Sequence, residues 1–107
     1  MELIDRDTLH DKLQRGDDFN LVMALGENAF RAAHIPGSLH FATVEDALAH
    51  LDPEEETIVY CSGPTCMASA TLYWFLESRG FKNLRRFAGG LQEWTAAGYP
   101  LEGEQAT

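Results

Sequence analysis

Apolar positions along this chain follow two rhythms that alternate from one end to the other. Phe19–Leu25, Thr57–Tyr60 and Leu84–Phe87 are short stretches with strand character. Met1–Ile4 is read as a short edge strand and Ser38–Phe41 as another short strand. Between them the spacing becomes helical. Leu9 and Leu13 form the inner stripe of a helix over Thr8–Arg15 that Asp5 or Asp7 can cap. Ala29, Phe30 and Ala33 mark a short helical segment, and His34–Gly37 is a loop because proline pushes the preceding residue out of the helical region. Thr43 can cap a helix over Val44–Leu51, with Asp46 completing an imperfect capping box. A longer helix runs from about Cys66 to Arg79, where Gly80 can adopt the left-handed conformation that ends it. Its apolar face carries Ala68, Leu72, Phe75 and Leu76, and Met67, Ala70 and Trp74 make a second flank, so it is expected to be well buried. Leu91–Ala97 is the last helix, with Trp94 packing it onto the sheet, and the tail from Glu102 is expected to fray.

Strands that alternate with helices, with no internal repeat or linker, imply a single α/β domain over residues 1–107. The expected architecture has three layers: a mainly parallel central sheet of about five strands, covered by helices on both faces. Sites in such sheets sit at the carboxyl ends of strands. A chain of 107 residues, 45% hydrophobic, can bury roughly 60–70% of its unfolded surface without staples. No apolar run approaches the ~18–20 residues of a membrane span. Met1–Asp5 has no basic region, so no secretory signal is expected, and two cysteines in that context imply a reducing, cytoplasmic setting. The net charge of −9, from 17 acidic and 8 basic residues, disfavours nucleic acid and anionic membranes as partners. Leu84–Phe87 is the one locally basic stretch, and its two arginines make no patch.

The chemistry concentrates in Tyr60–Ala68, Tyr-Cys-Ser-Gly-Pro-Thr-Cys-Met-Ala. A β-branched run stops at Cys61, a Gly-Pro loop follows, and a helix begins. Backbone N–H groups around such a loop point inward, and the helix end adds partial positive charge. Thiols in that setting ionise more readily, which makes Cys61 the candidate nucleophile. Ser62, Gly63, Pro64, Thr65, Cys66 and Met67 form the loop that would bind substrate, through its backbone donors. Pro64 removes one of those donors. Cys66, five residues after Cys61, is either a small inert hydrophobe or a resolving thiol. A structural disulfide between the two would close only a tiny loop and constrain little.

Four segments in order resemble the rhodanese family of sulfurtransferases. His34-Ile35-Pro36-Gly37-Ser38 resembles its HIPGA loop, and Ile58-Val59-Tyr60-Cys61 the strand that leads to its active cysteine. Gly80-Phe81-Lys82-Asn83-Leu84 resembles the entry to its next strand, and Gly89–Trp94 with Gly98-Tyr99-Pro100 its closing segment. The resemblance implies a rhodanese-like fold and sulfane sulfur transfer through a persulfide on Cys61. The donor would be a small molecule such as thiosulfate or a protein persulfide, the acceptor a thiol or cyanide, and no cofactor is involved. Family members commonly carry an Asp-x-Arg pair where this chain has Met23 and Leu25, and many place Arg or Lys in the active loop, which here has neither. Weak turnover of thiosulfate, and a better fit to a less charged or protein-bound donor, are therefore expected.

Rival readings have specific requirements. A phosphatase on this fold needs Cys-x5-Arg, and that arginine position is Met67. A thiol–disulfide oxidoreductase prefers Cys-x-x-Cys, whereas Cys61 and Cys66 are spaced Cys-x4-Cys. A metal site is not expected: His10, His34, His40 and His50 are scattered over separate elements, and His34 reads as a structural loop residue. A non-catalytic binding module remains the alternative from a different class.

Overall fold

The computed structural model describes residues 1–105. Of the two available caps, Asp5 begins α1 (Arg6–Arg15): its carboxylate accepts from the Thr8 N–H at 2.7 Å. Helix α1 buries Leu9 and ends at Gly16, which is left-handed at φ 73°. Strands β1 (Asn20–Met23), β2 (Thr57–Tyr60) and β3 (Leu84–Phe87) form a parallel sheet in the order β1-β2-β3. Val22, Val59 and Arg86 stand side by side, as do Met23, Tyr60 and Phe87. All four residues of the central β2 are buried, which explains its unbroken apolar run.

The sheet has three strands, not about five. The two missing strands are single parallel bridges at its edges, Leu3 beside Arg86 and Leu39 beside Val22. Neither has room to lengthen. Asp5 turns the chain into α1 two residues after Leu3. Leu39 lies between the turn closed by Ser38 N–H on the Ile35 carbonyl and the Thr43 cap of α3 (Val44–His50).

Side chains alternate across the sheet into two cores. On one face Leu21, Met23, Ile58, Tyr60 and Phe87 pack with Leu9 of α1, Trp94 of α5 (Gly90–Ala96) and, partly, Phe30 of α2 (Glu27–Ala32). On the other Val22, Val59 and Leu84 pack with Ala47 of α3 and with Tyr73 and Leu76 of α4 (Ala68–Ser78). The three-layer arrangement is thus present. Trp94 is fully buried, and its indole donates to the Pro100 carbonyl at 2.8 Å.

Helix α4 begins at Ala68, two residues later than the pattern suggests, and Gly80 follows it at φ 91°. Its buried stripe is Ser69, Ala70, Tyr73 and Leu76, while Trp74 is 51% exposed and Met67 56%. The helix is rotated relative to expectation because Ser69 and Tyr73 have polar partners inside: the Tyr73 hydroxyl accepts from the Glu2 N–H at 2.9 Å. The tail from Glu102 makes backbone hydrogen bonds as far as residue 105. Glu102 and His34 exchange backbone hydrogen bonds, and the Glu104 and Gln105 N–H groups donate to the Arg31 and Ala32 carbonyls. Residues 106 and 107, the end of that tail, lie outside the described residues. Among the described residues no helix is long and apolar enough to cross a membrane.

Candidate active site

Cys61 is the first residue past β2, at the carboxyl end of the central strand. Its side chain turns inward and is 1% exposed. Its Sγ lies 3.3 Å from the Cys66 carbonyl and 3.3 Å from the Ser69 hydroxyl, the latter on the first turn of α4. From β3, Arg86 reaches the same two groups. Its Nε donates to Ser69 Oγ at 2.8 Å and one terminal nitrogen donates to the Cys66 carbonyl at 3.1 Å. Arg86 is 9% exposed, and among the described residues no carboxylate pairs with it.

The loop is braced from beneath by α5. The Leu91 and Gln92 N–H groups, free at a helix N-terminus, donate to the Cys61 and Ser62 carbonyls at 3.0 and 2.8 Å. That docking needs a bare backbone at Gly90: a Cβ there would lie 2.7 Å from the Gly63 nitrogen, and its φ is +62°. Ser62, Pro64, Thr65 and Met67 are exposed and Gly63 is buried, where a Cβ would come 2.7 Å from Gln92 Oε1. The loop does not offer all its donors outward. The Cys66 N–H closes a turn on the Gly63 carbonyl at 3.1 Å, so it is not available to a bound anion. A cleft of about 510 Å³ beside the loop is lined by Ser62, Gly63, Thr65, Leu91, Gln92 and Thr95.

Cys66 is half-buried, and both cysteines are free thiols. Burial alone raises the Cys66 thiol, but the Cys61 thiol, the Ala68 and Ser62 N–H groups and the Ser62 side chain outweigh it and bring it down to about 7. Above the opposite core, Tyr60 holds the His34–Ser38 loop. Its hydroxyl accepts from the Ile35 N–H at 3.1 Å and lies 2.7 Å from Ser38 Oγ, whose own proton is on the Ile35 carbonyl. Burial pushes the Tyr60 phenol up to about 12 against the pull of Ser38 and Ile35. His34 is structural: Nδ1 donates to the Phe30 carbonyl at 2.7 Å and the ring stacks on Phe30. Met23 is buried in the core, and Leu25 packs beside it.

Sequence reasoning missed Ser69, Gly90 and Arg86. A signal for Arg86 existed: in a strand covered on both faces, one of two consecutive arginines must point into a core.

A thiol at the carboxyl end of the central strand of a three-layer parallel sheet, cradled by the loop that follows, defines the class of domain. The model of the rhodanese-like domain family matches residues 5–97, and the chain belongs to that family. A protein from Bacillus halodurans superposes with a TM-score of 0.91 at 23% identity, covering 98% of this chain and 79% of that one. The rhodanese-like domain of an Anabaena protein superposes with a TM-score of 0.87 at 25% identity, covering 98% of this chain and 81% of that one. An HTH-type transcriptional regulator of Mycobacterium tuberculosis is 28% identical over 87 residues, 79% of this chain. This chain spans 38% of that regulator's length.

Proposed function

We propose that this domain is a rhodanese-type sulfurtransferase with Cys61 as its sulfur carrier. The observation that carries the reading is the Cys61 thiol held between the Ser69 hydroxyl and the Cys66 carbonyl at the end of β2, in a chain of this family. With thiosulfate, the Cys61 thiolate attacks the outer sulfur, the sulfur–sulfur bond of the donor breaks, and sulfite leaves with the electron pair. The product is a Cys61 persulfide anion. An acceptor thiolate or cyanide then attacks the terminal sulfur, and the thiolate of Cys61 is regenerated. Charge and electrons balance in both halves without a cofactor. Loop N–H groups other than that of Cys66, together with the Ser69 hydroxyl, are suited to hold the persulfide. A reducing, cytoplasmic setting fits two thiols left free.

A donor with little negative charge, or a protein persulfide, suits this site better than thiosulfate, because the loop from Ser62 to Met67 has no cationic side chain and the chain carries −9. The acidified Cys66 thiol favours a second reading. After Cys61 has taken up sulfur as a persulfide, Cys66 thiolate attacks the Cys61 sulfur, the bond to the outer sulfur breaks, and a disulfide forms with release of hydrosulfide. A module that reports such a state to a partner is compatible with the regulator among the relatives. Intact-mass analysis after exposure to thiosulfate or an organic persulfide separates these readings. A gain of one sulfur in wild type and Cys66→Ser, absent in Cys61→Ser, supports the transferase. A loss of two hydrogens abolished by either substitution supports the dithiol, and no change with any donor supports a binding module.

A further inference from the structure

Arg86 is a buried cation that the sulfur-transfer step as written does not use. We infer that Arg86 is a positioning residue of the sulfur site, which orients the Ser69 hydroxyl toward Cys61 Sγ and occupies the Cys66 carbonyl so that the pocket is built for a sulfur anion. The inference deepens the sulfurtransferase reading and rests on it for its purpose, though not for its test.

Hydrogen-bond inventory fixes the direction of the network. A guanidinium donates and never accepts. Ser69 Oγ therefore accepts from Arg86 Nε at 2.8 Å, and its own proton is left for Cys61 Sγ at 3.3 Å. In the thiol form, Cys61 donates to the Cys66 carbonyl at 3.3 Å. When that proton leaves, the carbonyl would face an anion with nothing to offset its lone pairs, but Arg86 already donates to it at 3.1 Å. Both neighbours of the sulfur are thus set by one side chain from β3.

Charge argues in the same direction. Taking a guanidinium out of water is costly unless an anion or a full set of acceptors compensates. Arg86 is 9% exposed, and its side-chain hydrogen bonds go to two neutral oxygens, Ser69 Oγ and the Cys66 carbonyl. Around it, the loop contributes Cys61 and Cys66, α4 contributes Tyr73, and the N-terminal segment contributes Glu2. Tyr73 accepts from the Glu2 N–H, Glu2 is exposed, and its backbone carbonyl accepts from the Arg86 N–H. The anion that completes the arrangement is the sulfur of Cys61, as thiolate or persulfide.

The test is the pH profile of iodoacetamide alkylation, read at Cys61 and Cys66 separately by peptide mass spectrometry. It compares wild type with Arg86→Met, Arg86→Lys and Ser69→Ala. Arg86→Met and Ser69→Ala are expected to slow Cys61 alkylation near neutrality roughly tenfold, with Cys66 as the internal control. Arg86→Lys, which keeps a cationic donor, is expected to restore most of it. A Cys61 profile unmoved in folded Arg86→Met overturns the inference. If Arg86→Met does not fold, an unmoved profile in Ser69→Ala overturns it equally. The alkylation readout needs no sulfur donor, so if the variants show these changes while wild type never takes up sulfur, the transferase reading sinks and the assignment of Arg86 stands.

Discussion

The site depends on single residues that do different work. Gly90 is needed for approach: its φ of +62° alone costs a side chain ~1–2 kcal/mol, and a Cβ would also press on the backbone of Cys61–Gly63. Gly16 has a similar φ of +73° with nothing within 4 Å. Gly16→Ala should therefore lose ~1–2 kcal/mol by denaturant unfolding. Gly90→Ala should lose more and also change Cys61 alkylation. Equal losses would remove the bracing role of α5. Cys66 makes a pH prediction. Its thiol sits near 7 in the folded chain against an ordinary value of ~8.5, so its alkylation should rise through a midpoint near 7. The stability it contributes is complete above the unfolded value and is lost as pH falls through about 7. Cys61 was legible in the sequence because strand end, loop and helix start are all local. For Arg86 only a buried arginine in β3 could be read, and its pairing with Ser69 could not, because that comes from sheet register, which sets Arg86 beside Val59 and under the first turn of α4.

Among the elements, the junction of β2 with the His34–Ser38 loop is fixed by Tyr60. Tyr60→Phe removes the acceptor for the buried Ile35 N–H and should cost ~1–3 kcal/mol by denaturant unfolding, whereas an unchanged midpoint would show that water or Ser38 replaces it. Burial holds the Tyr60 phenol at about 12 against ~10 when unfolded. The corresponding stability is present below pH ~10 and is lost as pH rises toward 12, and Tyr60→Phe should lack that component of alkaline unfolding. The elements themselves were largely readable: the Thr43 cap, the stop at Gly80 and the burial of Leu9 and Trp94 follow from local chemistry. The edge strands and the rotation of α4 were not. Edge pairing stops at single bridges because the neighbouring caps and turns take the chain away, and the inner face of α4 is chosen by Ser69 and Tyr73, polar residues that a purely apolar stripe overlooks.

For the whole molecule, net charge bears on the proposed donor preference. A net −9 repels a dianion, so thiosulfate turnover should be slow and should rise with ionic strength, while turnover with an uncharged persulfide donor should be insensitive to salt. A thiosulfate rate that falls with salt would place an unrecognised cationic route at the site. The three-layer fold brings together residues from β2, α4, β3 and α5 that are far apart in the chain, and the proposed chemistry depends on what Cys61 carries. The most direct measurement is a single-turnover chase. Protein loaded with an organic persulfide and freed of donor is mixed with cyanide, and thiocyanate is counted per chain. One equivalent is expected from wild type and from Cys66→Ser, and none from Cys61→Ser. No thiocyanate from folded wild type, or an equal yield from Cys61→Ser, would contradict it.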